Sequence, residues 1–482
     1  MNLSSLQASG IGEHLGADLD FDSISTDTRN IQLGDVYLAL KGPNFDGHNY
    51  VQDAVAKGAR ALVLEKPCDE VNVPQLIVKN ALIALGEIAA KKRESFSGTV
   101  IGVTGSCGKT TVKGLLKSIL SCHSGREDGC VATHGNFNNH IGAPLSLMTI
   151  HDKAEYAVIE AGASGSGEIS YLANLIKPDI ALVNNVMPVH IEGFGSIEAI
   201  AKEKMSICDS KTPEGKPSTV IFNLDNAQLL ANRSRIQGRE MLVFSREQKI
   251  ACAERDVAGV KACVYASGAS KDRLGHARFT LNVEVDGTTQ QVPVILAVYG
   301  DHNISNALAA ASCALASGAS IGAIVEGLQQ FSGEKGRMQC QAGYSGATVV
   351  DDTYNACPDS MRAAIDYLAN YPNTVFVCGN MGELGEDEIS IHRQLGQYAK
   401  QKGIDSVLAI GHLAKYIAEA FGDGAQIFED KPALVTQLKS QLQADSLVLV
   451  KGSRSTKMEE VVQALLSGRE LSDKNFADER SQ

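Results

Sequence analysis

The chain has 482 residues, 44% of them hydrophobic, which is too long for one ordinary core and suits two to three domains. A formal charge of −12 argues against broad nucleic-acid binding, which needs a basic surface, although local basic groups can still hold a small phosphorylated ligand. No window approaches the roughly 18 to 20 uninterrupted apolar residues of a membrane span, and the first ten residues lack an export signal, so a soluble, cytoplasmic chain is predicted. The 11 cysteines lack the spacing of a disulfide framework or a zinc set and read as reduced packing residues.

In chain order, Val36 to Leu40 and Ala61 to Leu64 read as strands, with Ala54, Val55 and Gly58 between them fitting a helix and its glycine stop. The polar stretch Glu94 to Gly98 reads as a linker. A second block opens on the buried strand Thr99 to Val103 and adds Tyr156 to Ile159, Ile180 to Val183 and Val220 to Phe222. Between Val257 and Val298 the pattern turns to short alternating β-rich segments, one of which stops at Asp286-Gly287, a hairpin signal. In a third block, Thr348 to Val350, Thr374 to Cys378, Ser406 to Ile410 and Ser446 to Val450 alternate with helix-length segments. The predicted class is therefore α/β with three domains. These are 1–97, then 98–332 with a P-loop ATPase-like parallel sheet and a small β-rich part, then 333–482 with a Rossmann-like doubly wound sheet. The charged tail, residues 472–482, is expected to fray.

The strongest chemical signal is Gly102-Val-Thr-Gly105-Ser106-Cys107-Gly108-Lys109-Thr110-Thr111, at the end of a strand. After it Val112, Leu115, Leu116, Ile119 and Leu120 recur at helical spacing. A loop between strand and helix is what a phosphate site needs. Backbone N–H groups at the helix start hold phosphate oxygens, glycines allow close approach, Lys109 neutralises β- and γ-phosphates, and the Thr110 hydroxyl can ligate magnesium. The spacing departs from the strict Walker form, because Val103 stands at the first glycine position. An ordinary glycine-rich turn would explain the glycines alone, but not Gly-Lys-Thr-Thr between strand and helix. The motif by itself leaves kinase, ATPase and ligase open.

The loop resembles the Thr-Gly-x-x-Gly-Lys-Thr element of the Mur ligase family, and further matches run through all three blocks. They include Ile24-Ser25-Thr26-Asp27-Thr-Arg29, Gly135-Asn136-Phe-Asn138-Asn139-His140, Asn184-Asn185-Val-Met-Pro188-Val-His190, Gly300-Asp-His302-Asn303-Ile-Ser-Asn306, Gly336-Arg337-Met, Asp351-Asp352-Thr-Tyr354-Asn355-Ala-Cys357-Pro358, Gly379-Asn380-Met-Gly382-Glu383-Leu384-Gly385 and Lys451-Gly452-Ser453-Arg454-Ser455. Cys107, Cys357 and Asn380 depart from the family pattern. The resemblance implies an ATP- and Mg2+-dependent ligase, expected to be monomeric, that adds D-alanyl-D-alanine to UDP-N-acetylmuramoyl-tripeptide. A relative adding the third peptide residue, or an inactive nucleotide-binding regulatory module, is the alternative.

The same resemblance implies roles. Gly105, Ser106, Cys107, Gly108, Lys109, Thr110, Thr111, Asn303, Asn306, Arg337 and Asp352 would hold ATP, with Lys109, Lys204, His190 and Arg337 catalytic. Thr110, Glu160 and His190 would bind magnesium. Glu160 could equally be a solvated strand-end carboxylate, and a lone histidine more often packs or faces solvent. Lys204 resembles the carbamoylated lysine of the family, which must be a neutral amine to react; on its charged segment a solvated lysine is the ordinary reading, and Lys202 competes. Asn303 and Asn306 could instead cap a helix. Ser25, Thr26, Asp27, Arg29, Asn136, Asn138 and Asn139 would bind the UDP-sugar, or form caps and turns. Tyr354, Asn355 and the 382–385 loop would face the dipeptide.

Overall fold

The computed structural model describes residues 1–189, 191–247, 258–271 and 276–467; the tail 472–482 lies outside them. Three sheets organise the chain. The first has five strands in the order Glu13–Leu15, Gln75–Ile77, Ala61–Leu64, Val36–Leu38, Ile24–Ser25, parallel except for Glu13–Leu15. Its alternating residues feed two cores, Val36, Leu38 and Val63 on one face and Tyr37, Leu62 and Leu64 on the other.

The central sheet has nine strands. Seven run parallel, in the order Cys130–Ala132, Tyr156–Glu160, Thr99–Thr104, Ile180–Val183, Thr219–Asn223, Met241–Ser245, Val260–Lys271. The chain leaves Thr99–Thr104 toward one side of the sheet and returns for Ile180–Val183 on the other. The loop after Thr99–Thr104 therefore stands where the winding direction reverses, the place open α/β sheets bind ligands. Helices cover both faces. Ile101 and Val103 pack with Val112, Leu116 and Ile119 of the helix Lys109–Ser124, whereas Val100, Ala157 and Ile159 pack with Leu172 and Ile176 of the helix Glu168–Ile176.

The β-rich segments predicted as short are long, with 12, 10 and 12 residues in Val260–Lys271, His276–Val285 and Thr288–Tyr299. They extend the central sheet, the last two antiparallel, because their apolar alternation continues the same core. Asp286 and Gly287, at φ 49° and 76°, make the two-residue turn between the last two.

The third sheet has six strands in the order Gln339–Ala342, Thr348–Asp352, Leu447–Lys451, Thr374–Cys378, Ser406–Ile410, Ala425–Phe428, parallel except for the first. Cores lie on both of its faces.

The predicted linker Glu94 to Gly98 is shorter in the structure: residues 96–98 connect a helix to the central sheet, and Glu94 and Ser95 belong to that helix. The helix Ala81–Ser95 runs through Glu94 and serves both units: Ala84, Leu85 and Ile88 pack on the first sheet, and Ala89 on the central one. Its end is pinned by Arg93, whose side chain is 2% exposed and pairs with Asp179 at 2.8 Å. Arg93 also donates to the Ile176 and Lys177 carbonyls. Polarity there marked a helix end seeking carbonyl partners. Arg93→Met keeps the aliphatic stem and removes these bonds, so it is expected to cost about 2 kcal/mol at this junction. A lowered midpoint for the first thermal unfolding transition would report it; an unchanged midpoint would refute it.

Candidate active site

Because neighbouring strands of the central sheet run parallel, their carboxyl ends align, and the residues just beyond them meet. Gly105 to Thr111 follow the strand Thr99–Thr104, Glu160 closes Tyr156–Glu160, Asn184 and Asn185 follow Ile180–Val183, and Asn223 closes Thr219–Asn223. The third sheet presents its own carboxyl edge, with Asp352 and Lys451 ending adjacent strands in register. Between the two edges lies a cleft of about 950 Å³.

The glycine-rich loop is built for anions. Gly108, at φ 80°, precedes the helix Lys109–Ser124 and supplies no capping side chain, which leaves the first-turn N–H groups facing the cleft. A Cβ at Gly108 would collide with Asn306 Oδ1 and Asn184 Nδ2. The loop is held by Asn184 and Asn185, a role that their local sequence does not disclose. Asn185 Oδ1 accepts the Cys107 N–H at 2.9 Å, and Asn184 Nδ2 donates to the Cys107 carbonyl at 2.9 Å and to Asn306 Oδ1 at 3.0 Å. Ser106 Oγ accepts the Met187 N–H. Lys109 Nζ donates to the Gly105 and Ser106 carbonyls at 2.7 and 3.3 Å, arching the ammonium over the loop.

Thr110 and Glu160 are buried together, the Thr110 hydroxyl donating to Glu160 Oε2 at 3.1 Å. Asn138 Nδ2 donates to the other carboxylate oxygen at 2.7 Å. Hydroxyl and carboxylate oxygens side by side at a helix start suit a hard divalent cation such as magnesium. His190 lies outside the described residues.

Arg337 reaches this cluster from just before the strand Gln339–Ala342 of the third sheet. Its Nη2 donates to Thr110 Oγ1 at 2.9 Å, its guanidinium lies 4.1 Å over the Tyr354 ring, and its Nε is buried with no partner among the described residues. A fixed, charged donor without an acceptor fits an anionic oxygen. Asp352 is engaged by Lys451 Nζ at 2.6 Å and by the Met338 N–H at 3.2 Å, and the same ammonium donates to the Asn355 carbonyl. Asn303 Nδ2 donates to the Tyr299 carbonyl and Asn306 Nδ2 to Asn303 Oδ1. Neither asparagine is the cap of the helix His302–Ala316, whose N-cap is Asp301.

Lys204 lies on the helix Ile197–Met205, capped by Ser196. It is 1% exposed, whereas Lys202 on the same helix faces solvent. Burial, reinforced by repulsion from Lys109, pulls the Lys204 ammonium down to about 7. The charged segment therefore has one solvated lysine and one buried one. Glu203 is buried too, accepting the Gly167 and Ile169 N–H groups at 2.8 and 2.6 Å.

Ser106 to Thr111, Asn136, Asn138, Asn139, Glu160, Asn303, Asn306, Arg337, Asp352, Tyr354 and Asn355 all line the cleft, as do Gly382, Glu383 and Leu384. Ser25, Thr26, Asp27 and Arg29 are not among its walls. They form a local turn at the edge of the first sheet, Ser25 Oγ donating to the Asp27 carbonyl and Arg29 pairing with Asp27 at 2.8 Å. Asn139 Oδ1 accepts the Ile141 and Gly142 N–H groups, which starts the helix Gly142–Met148. Ile141, Leu145 and Met148 then join the core of the first sheet.

Two cations were missed. Lys113, 3% exposed and one turn beyond Lys109, donates to the Gly135 carbonyl at 3.1 Å, and burial lowers its affinity for a proton. A lysine on the otherwise apolar face of the loop's own helix was the available signal. Lys451 stood in a quoted motif, but its partner Asp352 is 99 positions away.

Profiles of three Mur ligase domains match the chain: the Mur ligase family catalytic domain over residues 20–93, the middle domain over 103–314 and the glutamate ligase domain over 336–454. The UDP-N-acetylmuramoyl-tripeptide–D-alanyl-D-alanine ligase of Escherichia coli strain K12 is 40% identical over 457 residues, covering 94% of this chain and 96% of that protein. A crystal structure of MurF from Acinetobacter baumannii superposes with a TM-score of 0.83 at 32% identity, covering 96% of this chain and 98% of the other. The MurF ligase of Thermotoga maritima in complex with ADP gives 0.75 at 26% identity, covering 92% and 96%. Sequence profiles spread over all three units, a near-full-length relative and a shared three-domain architecture agree that this chain belongs to the Mur ligase family.

Proposed function

We propose that this protein is a cytoplasmic, monomeric, ATP-dependent ligase that joins D-alanyl-D-alanine to UDP-N-acetylmuramoyl-tripeptide in peptidoglycan precursor synthesis, releasing ADP and phosphate. Its working units are 1–97 for the UDP-substrate, 98–332 for ATP and 333–482 for closing the site. The observation that carries this reading is the reach of Arg337 to Thr110 across two units, with a buried Nε still unpaired. A phosphate loop that needs an arginine from another unit suits phosphoryl transfer between two bound substrates better than simple nucleotide storage.

A carboxylate does not condense with an amine in neutral water, so one of its oxygens must first become a leaving group. Transfer of the γ-phosphoryl group to the tripeptide carboxylate makes an acyl phosphate, which the dipeptide amine then attacks. The loop N–H groups and Lys109 hold the β- and γ-phosphates, and Arg337 stabilises the oxygens that gain charge during transfer. Thr110 and Glu160, with His190 and a carbamoylated Lys204, would hold magnesium, which when bound offsets phosphate charge. Gly105, Ser106, Cys107, Gly108 and Thr111 shape the loop, while Asn303, Asn306 and Asp352 position the nucleoside. Ser25, Thr26, Asp27, Arg29 and Asn136 serve the UDP-sugar, and Asn138 and Asn139 support that side of the cleft. Tyr354, Asn355 and the 382–385 loop face the dipeptide.

A family member adding the third peptide residue would share the ATP site. The segments Gly135 to His140 and Gly379 to Gly385, together with the tripeptide-specific relatives, favour the dipeptide-adding reaction. Incubating the full chain with ATP, magnesium, UDP-N-acetylmuramoyl-tripeptide and D-alanyl-D-alanine should yield the UDP-pentapeptide by mass spectrometry. Product only when a dipeptide-level substrate and a single amino acid are supplied would overturn the assignment.

A further inference from the structure

Cys107 and Cys357 approach each other from opposite sides of the cleft. Their Sγ atoms lie 3.6 Å apart although the residues are 250 positions apart in sequence. Both are free, partly buried thiols that line the cleft, so a small oxidant in that space can reach them. Drawing the sulfurs to the about 2.05 Å of a disulfide needs about 1.5 Å of approach, within reach of small side-chain rotations.

The two thiols are not equivalent. Cys357 is the N-terminal cap of the helix Pro358–Leu368, and its backbone N–H donates to Ser360 Oγ. Hydrogen bonding from Cys107, and then from Ser360, holds the Cys357 thiol below its ordinary range, while the same contact and burial push the Cys107 thiol up. The start of an 11-residue helix at Cys357 favours a thiolate there, which makes Cys357 the nucleophile of the pair and Cys107 its resolving partner.

We propose that Cys107 and Cys357 form a reversible disulfide across the cleft when the protein meets a hydroperoxide, and that this bond switches the enzyme off. The Cys357 thiolate attacks one peroxide oxygen, the O–O bond breaks, and a sulfenic acid forms as the other oxygen leaves as an alcohol or water. The Cys107 sulfur then displaces the sulfenic oxygen as water. Two thiols and one hydroperoxide give one disulfide, one water and one alcohol or second water, so the thiols lose two electrons and the peroxide gains them. Cys107 precedes Gly108 in the phosphate loop, and its backbone is pinned by Asn184 and Asn185. The bond would therefore tether the loop to the third unit and prevent the separation that nucleotide exchange requires. In a reducing compartment the dithiol is the resting form, and a disulfide there is transient. The loss of activity rests on the ligase reading; the cross-link itself does not.

The test treats the full-length protein with hydrogen peroxide, blocks remaining thiols and maps peptides without reduction. The expected result is a peptide pair joined through Cys107 and Cys357, lighter by two hydrogens than its reduced parts. ADP formation should fall about tenfold or more and return with dithiothreitol. Cys357→Ser, which keeps a capping group at the helix start, should retain its own activity under the same treatment. Absence of the joined peptide, or loss of activity in Cys357→Ser at the wild-type rate, would overturn the proposal. A protein that makes no ADP before oxidation would count against the ligase reading alone, because the peptide map still decides on the disulfide.

Discussion

Lys109→Ala is expected to lower ADP formation by about 10²–10³-fold or more while leaving the circular dichroism spectrum and thermal midpoint near those of the wild type. The asymmetry follows from where the side chain ends. Among the described residues the Lys109 ammonium bonds to carbonyls of its own loop, so folding gains little from it. The phosphates gain much more, because a fixed cation at a helix start meets the charge that phosphoryl transfer develops. Turnover at the wild-type rate in the alanine variant would remove the loop from the reaction.

Lys204→Ala is expected to reduce kcat by about 10²-fold and to abolish a carbamate carbon signal from the protein in 13C-bicarbonate. Two ammonium groups at Lys109 and Lys204 repel each other, whereas a carbamate at Lys204 reverses the sign and turns repulsion into attraction. The chemistry requires the free amine. With the Lys204 ammonium held at about 7, the amine fraction rises between pH 6 and pH 8, and label uptake should rise with it. For an ordinary exposed lysine that fraction stays small across the same interval. A labelled carbamate that persists in Lys204→Ala, or uptake that falls as pH rises, would contradict this role.

What the sequence disclosed followed from locality. The phosphate loop, its flanking strand and its helix are contiguous, so one stretch of chain carried both the geometry and the chemistry. The strand end at Glu160 was legible for the same reason, since the apolar run Tyr156 to Ile159 stops where a polar residue reaches the sheet edge, whereas the strand predicted to stop at Val350 runs on to Asp352. Contacts formed by folding were not legible. The pairing of Lys451 with Asp352, the junction of Cys107 with Cys357 and the hold of Asn184 on Asn306 join residues 99, 250 and 122 positions apart. Lys204 was misleading for a different reason: its neighbours Lys202 and Glu203 make the segment look solvated, yet helix rotation sends Lys202 out and Lys204 in. The predicted linker from Glu94 to Gly98 shortens to residues 96–98, because the helix before it runs on to Ser95 and is anchored near its end by Arg93.

The central claim is that the cleft between the two sheet edges turns a peptide carboxylate into a leaving group. Isotope transfer tests it directly. With both oxygens of the terminal carboxylate of the UDP-tripeptide labelled as 18O, and ATP, magnesium and D-alanyl-D-alanine supplied, the released phosphate is expected to carry one labelled oxygen and the new amide to retain the other. Unlabelled phosphate alongside full product would mean that the carboxylate was never phosphorylated.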